Sequence, residues 1–234
     1  MGSTSSLTST ILSSSQFTTS LLPPPGPILT RPNPADPAPA NNPPIFNDAM
    51  SVRTAVFIDE QRCSPENEID DDDARSWHWV LYSAESDRRI PVGVIRLIPP
   101  PHAPHELRHE GVLNRDCSKK PLHGNDHNHN NKLENPYIKL SRVALLAEFR
   151  GAGLARVLVN TALGWAAQHH SELRDCQGKP WAGDLLVHAQ VAVEKIYAHL
   201  GFVTDASMGT WVEEGMDHVA HTNLASFLTD KWVD

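Results

Sequence analysis

"SRVALLAEFRGAGLA", residues Ser141 to Ala155, passes from an apolar strand pattern into an apolar helix pattern, "RVLVNTALGWAA", through Arg-Gly-Ala-Gly. Glycine weakens both kinds of element, by up to ~1 kcal/mol against alanine inside a helix, so packing gives no reason for two glycines at this junction. Phosphate chemistry does give one. A helix N-terminus exposes unpaired N–H groups and the positive end of the helix dipole, and a turn of small residues lets an anion reach them.

The elements around this turn follow from periodicity. "YIKLSRVALL" predicts a strand from Tyr137 and Gly153 to about His169 a helix; "DLLVHAQ" predicts a second strand, and "VAVEKIYAHL" a second helix closed by Gly201. Two consecutive strand–helix units imply parallel strands with helices on the sheet. Upstream, "SWHWVLYS" and "PVGVIRLI" predict an antiparallel strand pair around the turn "AESDRR". "FNDAMSVRTAVFIDEQ" spaces Met50, Val52, Val56 and Phe57 for a helix ending before Pro65, and "PILTR" reads as a first strand ending near Arg31.

Two segments look peripheral. Ten of the 19 prolines lie between Pro23 and Pro44, preceded by a Ser/Thr-rich stretch, so residues 1–27 are expected to be a disordered tail. The domain then spans residues 28–234, with an insertion at about 99–136 that carries "HGNDHNHNN". A metal tract of His123, His127 and His129 is the sharp reading of that insertion; a solvated surface loop is the expected one, with no metal. The "DDDD" run at Asp70 to Asp73 is likewise expected to be a solvated turn, although it could attract a cationic substrate.

Composition narrows the partners. A net charge of -8 repels phosphate backbones and anionic membrane surfaces, which argues against nucleic acid. Cys63, Cys117 and Cys176 form neither a disulfide framework nor a zinc knuckle, which fits a reducing cytoplasmic or nuclear compartment. No apolar run approaches the ~20 residues that span a bilayer. The opening "MGSTSS" matches an N-myristoylation pattern at Gly2 and Ser6, and a chance match is favoured because no polybasic patch follows.

Two readings compete for the glycine turn. As a dinucleotide fingerprint it has Gly151 and Gly153, but Arg156 stands where the third glycine belongs. As an acyl-coenzyme A pyrophosphate loop, Arg150-x-x-Gly153-x-Ala155 matches R/Q-x-x-G-x-G/A, and Tyr197-Ala-His-Leu-Gly201-Phe202 matches Tyr-x-x-x-Gly-Phe downstream. On these motifs the chain resembles the GCN5-related N-acetyltransferase (GNAT) superfamily. It is most similar to an ElaA-like group, through "VFIDEQ" at Val56 to Gln61, "AQ" at Ala189 and Gln190, and "EEGMDH" at Glu213 to His218.

The resemblance covers roughly Ile28 onward and implies an α/β fold whose central mixed sheet, flanked by helices, has two splayed parallel strands holding acetyl-coenzyme A. It assigns Val143, Ala144 and Leu145 to the pantetheine arm, and Gly151, Ala152, Gly153, Leu154, Ala155 and Arg156, with the motif's Arg150, to the pyrophosphate. It also makes Tyr197 the general acid for the departing thiolate, against which stands a plain core tyrosine packed with Ile196 and Leu200. The implied activity is acetyl transfer to a primary amine, on a small molecule or a protein lysine. The rival is a non-catalytic acyl-coenzyme A sensor. Glu60, Glu134, Glu213, Glu214 and His218 are candidates for the base, and residue type alone does not rank them.

Overall fold

The computed structural model describes residues 16–85, 88–102 and 136–223. The histidine stretch, Glu134, Cys117 and the "MGSTSS" motif lie outside the described residues. Eight strands form one mixed sheet in the order β1-β2-β3-β4-β5-β8-β6, with β7 also paired to β8. They are β1 (Phe17–Leu22), β2 (Trp77–Glu85), β3 (Arg88–Ile98), β4 (Ile138–Leu145), β5 (Leu185–Gln190), β6 (Val203–Thr204), β7 (Thr210–Glu213) and β8 (Met216–Asn223). Among the described residues only β4 and β5 pair in parallel; the β2–β3 hairpin is antiparallel as its pattern predicts.

Helices cover both faces. On one, α2 (Leu154–Gln168) and α3 (Glu194–His199) close a core that includes Leu140, Leu145, Leu158, Val187, Tyr197 and Phe202. On the other, α1 (Pro44–Arg53) buries Phe46, Ala49, Met50 and Arg53 at helical spacing. From Thr54 to Glu60 it continues as a π-helix, whose Val56 joins Val80, Val94 and Ala144 in a second core.

Arg53 is a fully buried cation on α1's core face, and it explains the aspartate run. Its Nη1 meets Asp73 Oδ1 at 2.7 Å and its Nε meets Glu68 Oε1 at 2.5 Å. Buried Arg96 of β3 reaches Asp70 at 2.7 Å and the same Asp73 oxygen at 2.9 Å. The expected solvated turn is thus in large part a counter-ion loop: Asp71 is exposed, but Asp73 is enclosed by Arg53 and Arg96, half-buried Asp70 meets Arg96 and Arg142, and buried Asp72 pairs with Arg75. The paired arginines hold Asp73 well below the usual carboxylate range despite burial, and Asp70 down to about 2.

The tail is corrected as well. Phe17 to Leu22 pair in full register with β2, from Phe17 opposite Ser83 to Leu22 opposite His78, so strand structure lies within the expected tail. Arg89 fastens this edge, stacking over Tyr82 at 4.1 Å and donating to Ser20 Oγ at 2.8 Å. The ring of Phe17 meets Phe149 edge-on at 6.2 Å. "PILTR" forms no strand; Thr30 is instead held by Asn42, whose Oδ1 accepts its N–H at 2.8 Å.

Two outcomes are expected. Buried His78 is pushed down to about 4, so it is neutral in the folded chain but charged in the unfolded chain below ~6.5. Its stabilisation is complete above that pH and is lost as pH falls toward 4, about 3 kcal/mol in all; a further loss follows below ~3.9 as Asp70 and Asp73 take up protons. Urea unfolding at a series of pH values measures both, and His78→Gln removes the first step alone. Deleting residues 1–22 bares the β2 edge and lowers the melting temperature, by calorimetry.

Candidate active site

The ladder between β4 and β5 lasts for three residue pairs, Ile138 with Leu185, Lys139 with Leu186 and Leu140 with Val187, and then ends. A bulge in β4 accounts for the parting. Ser141 lies opposite Arg96 and Ala144 opposite Val94, so Arg142 and Val143 both face Ile95. Arg142 takes a left-handed φ of 52° to make room. Val143, Ala144 and Leu145 lie beyond the last β4–β5 pair, so their edge toward β5 has no ladder partner and leaves a gap between the two strands. The gap is the place where an extended arm could pair with strand backbone.

The glycine turn stands at the open end of this gap. After a 3₁₀ turn at Ala147–Phe149, Gly151 has φ 80° and Gly153, the N-cap of α2, has φ 77°. Other residues pay roughly 1–2 kcal/mol in that region. No protein atom lies within 4 Å of where a Cβ would stand at either glycine, so conformation and not crowding selects them, and the space above the turn stays open. The Gly153 carbonyl accepts from Arg156 and Val157 at 3.0 and 3.4 Å, so the N–H groups before Arg156 precede the helix ladder. Leu154 is buried and Ala155 half-buried, anchoring the turn, while Ala152 and Arg156 face solvent.

Arg150 spends its guanidinium on protein. Nη1 and Nη2 donate to the two Glu60 oxygens at 2.7 and 2.6 Å, and Nε donates to the Leu145 carbonyl at 2.9 Å. It braces the end of the π-helix and the end of β4 against the glycine turn. Glu60 is held below its ordinary range by that bond, which makes it a weak base. Glu214 is also engaged, accepting from Ser64 N at 2.9 Å and Asn67 Nδ2 at 2.7 Å, which lower it. Glu213 is exposed beside the Trp211 indole, 3.4 Å from Nε1, and His218 Nδ1 lies 2.9 Å from the Met216 carbonyl. No group of His, Cys, Asp and Glu among the described residues could hold a metal.

Tyr197 is 7% exposed and packs edge-on to Phe202 at 5.6 Å and face-on to His221 at 5.3 Å. Burial pushes its phenol up, so it keeps its proton throughout the physiological range. A core position and a donor role are therefore compatible here. On the opposite face Gln190 Nε2 donates to Gln61 Oε1 at 2.9 Å, joining the ends of "VFIDEQ" and "AQ" where the strands part. Reading the sequence alone misses this bridge, although both glutamines end quoted motifs; nothing in it marks Arg142.

The acetyltransferase (GNAT) family pattern matches residues 46–178, from α1 through α2. Among solved structures, a Lactobacillus plantarum protein assigned as an N-acetyltransferase is 21% identical, with 88% of this chain and 97% of that one covered and a TM-score of 0.51. FeeM, an N-acyl amino acid synthase from uncultured soil microbes, is 13% identical over 88% of this chain and 89% of its own, with a TM-score of 0.50. Escherichia coli ElaA is 18% identical over 77% and 89%, with a TM-score of 0.47. No described helix is long and apolar enough to cross a membrane. With the family pattern covering more than half of the sequence and the sheet opening between β4 and β5, the chain belongs to the acetyltransferase (GNAT) family of acyl-coenzyme A-dependent acyltransferases.

Proposed function

We propose that the protein transfers an acetyl group from acetyl-coenzyme A to the nitrogen of a primary amine. The observation that carries this reading is the end of the β4–β5 ladder after three pairs, followed beyond β4 by the left-handed Gly151–Gly153 turn that opens α2. These residues fit the group in three respects. Strand edge at Val143 to Leu145 is free of β5, the N–H groups before Arg156 can meet a pyrophosphate, and the space over both glycines is open.

When bound, acetyl-coenzyme A supplies an activated acyl carbon and a thiolate leaving group. The chain's own residues manage charge around that carbon. An ammonium with a pKa near ~10.4 must first lose its proton, at a cost of roughly 4–5 kcal/mol at pH 7, before its nitrogen can attack. With Glu60 and Glu214 engaged elsewhere, a water chain leading to solvent is the route for that proton. A backbone N–H of β4 near Leu145 would be the donor that offsets negative charge on the acyl oxygen. Tyr197 would hold the phenolic proton that a departing thiolate needs, and the proton shed by the amine would restore the phenol.

The cofactor assignment is checked by thermal shift. Acetyl-coenzyme A raises the melting temperature by binding the native state preferentially, whereas NAD does not. Gly153→Val forces a branched side chain into a left-handed φ and fills the open space, so the shift disappears while the fold persists. A shift with NAD alone overturns the assignment.

For the acid, Tyr197→Phe keeps the ring packing against Phe202 and His221 but removes the proton. Steady-state kinetics with free thiol as the readout are expected to show kcat lower by ~10²–10⁴-fold and acetyl-coenzyme A affinity unchanged. Near wild-type kcat makes Tyr197 a core residue only.

A further inference from the structure

The face of β4 and β5 that carries Leu140, Leu145, Val187 and Ala189 is filled by α2 and α3, together with Tyr197. An acceptor therefore reaches the point where the strands part from the α1 side. What lies there is the segment from Gln61 to Glu68, and it is held from three directions. Gln61 bonds Gln190 of β5. Arg142 Nη2 donates to the carbonyls of Asn67 at 3.1 Å and Glu68 at 3.3 Å. Glu214 accepts from Ser64 N and Asn67 Nδ2.

Backbone conformation singles out the same place. Among the described residues the non-glycine positions with positive φ are Arg62, Arg142 and Glu214, at 65°, 52° and 50°. Arg62 closes the π-helix where glycine or asparagine is usual. Glu214 forms the two-residue turn between β7 and β8 with Gly215, a position that favours asparagine or glycine. Arg142 is the bulge residue of β4. Strained residues persist where the surrounding structure over-determines them, and Arg142 and Glu214 both spend their side chains on segment 61–68.

We propose that Arg142 and Glu214 are positioning residues for acyl transfer, holding segment 61–68 so that Gln61 and Gln190 form the wall against which the acceptor amine sits. The inference rests on the transfer reading above. It also accounts for the charge at this wall. Glu60 is paired with Arg150, Glu66 accepts from Ser64 Oγ, Glu68 is paired with Arg53, Asp70 with Arg96 and Arg142, and Glu214 with Ser64 and Asn67. The acceptor thus meets neutral amides in place of a carboxylate that would hold it as ammonium, and the neutral amine is the nucleophile.

The test compares Glu214→Ala, Arg142→Gly and the double variant with wild type, using 2-phenylethylamine and Nα-acetyllysine amide as acceptor probes at saturating acetyl-coenzyme A. Glycine at position 142 keeps the left-handed bulge but removes the ion pairs with Glu68 and Asp70 together with the tether, so Glu214→Ala is the cleaner variant. Each single variant is expected to raise the acceptor KM by ~10–100-fold, the loss of hydrogen bonds to a charged group, while the acetyl-coenzyme A KM stays within ~3-fold. The double variant falls short of the product of the two, since both act on one segment. Hydrogen exchange at the Ser64 and Asn67 amides quickens, with exchange in α2 unchanged. An unchanged acceptor KM, or an equal rise in the acetyl-coenzyme A KM, overturns the proposal. If Arg142→Gly does not fold, Glu214→Ala, at an exposed turn, decides by itself. If wild type acetylates neither probe, that counts against the transfer reading, and unchanged exchange at Ser64 and Asn67 in Glu214→Ala then overturns the clamp on its own.

Discussion

One extra residue in β4 sets the geometry on which the rest depends. A strand that kept strict alternation past Leu140 would continue its ladder with β5, and the sheet would close over the place where the gap now stands. The bulge at Arg142 puts Ser141 and Arg142 in succession toward the α1 side, where Ser141 meets Arg96 and Arg142 meets Asp70. Val143 and Leu145 return to the α2 core, and Ala144 to the α1 core. The same irregularity separates two strands and aims one cation.

That cation belongs to a buried cluster with no hydrophobic counterpart in the fold. Arg53, Arg96, Glu68 and Asp73 sit on four different segments, and an apolar cluster of similar volume could be as stable or more so. What charge adds is direction. Bidentate arginine–carboxylate geometry permits one arrangement of α1, β3 and the aspartate loop, whereas apolar side chains tolerate several. The loop so fixed leads back to segment 61–68, which ties the core to the mouth of the gap.

Much of this was legible in the sequence, and the exceptions share a cause. α2, β4, β5 and the glycine turn are local: spacing of apolar residues and two glycines define them without reference to anything distant. β1 is not local. "FTTSLL" reads as part of a polar tail, and it becomes a strand because β2 offers an open edge. "DDDD" reads as solvated for the same reason, since its partners Arg53, Arg96 and Arg142 lie on α1, β3 and β4. The bond between Arg150 and Glu60 joins residues 90 apart in the sequence, which no local pattern encodes. The Gln61–Gln190 bridge is longer still.

The placement of β1 bears on how the chain assembles. Phe17 is synthesised well before its ladder partner Ser83, and its ring contact with Phe149 must await a still later part of the chain. Contacts of such separation form late, because loop closure must be paid for before they contribute. Until then β2 presents an unpaired edge that carries Trp77, Trp79, Val80 and Leu81, the kind of surface on which nascent chains pair with one another. The docking of β1 therefore ends the interval in which self-association competes with folding, and through Phe149 it also stiffens the approach to the glycine turn in the same late step.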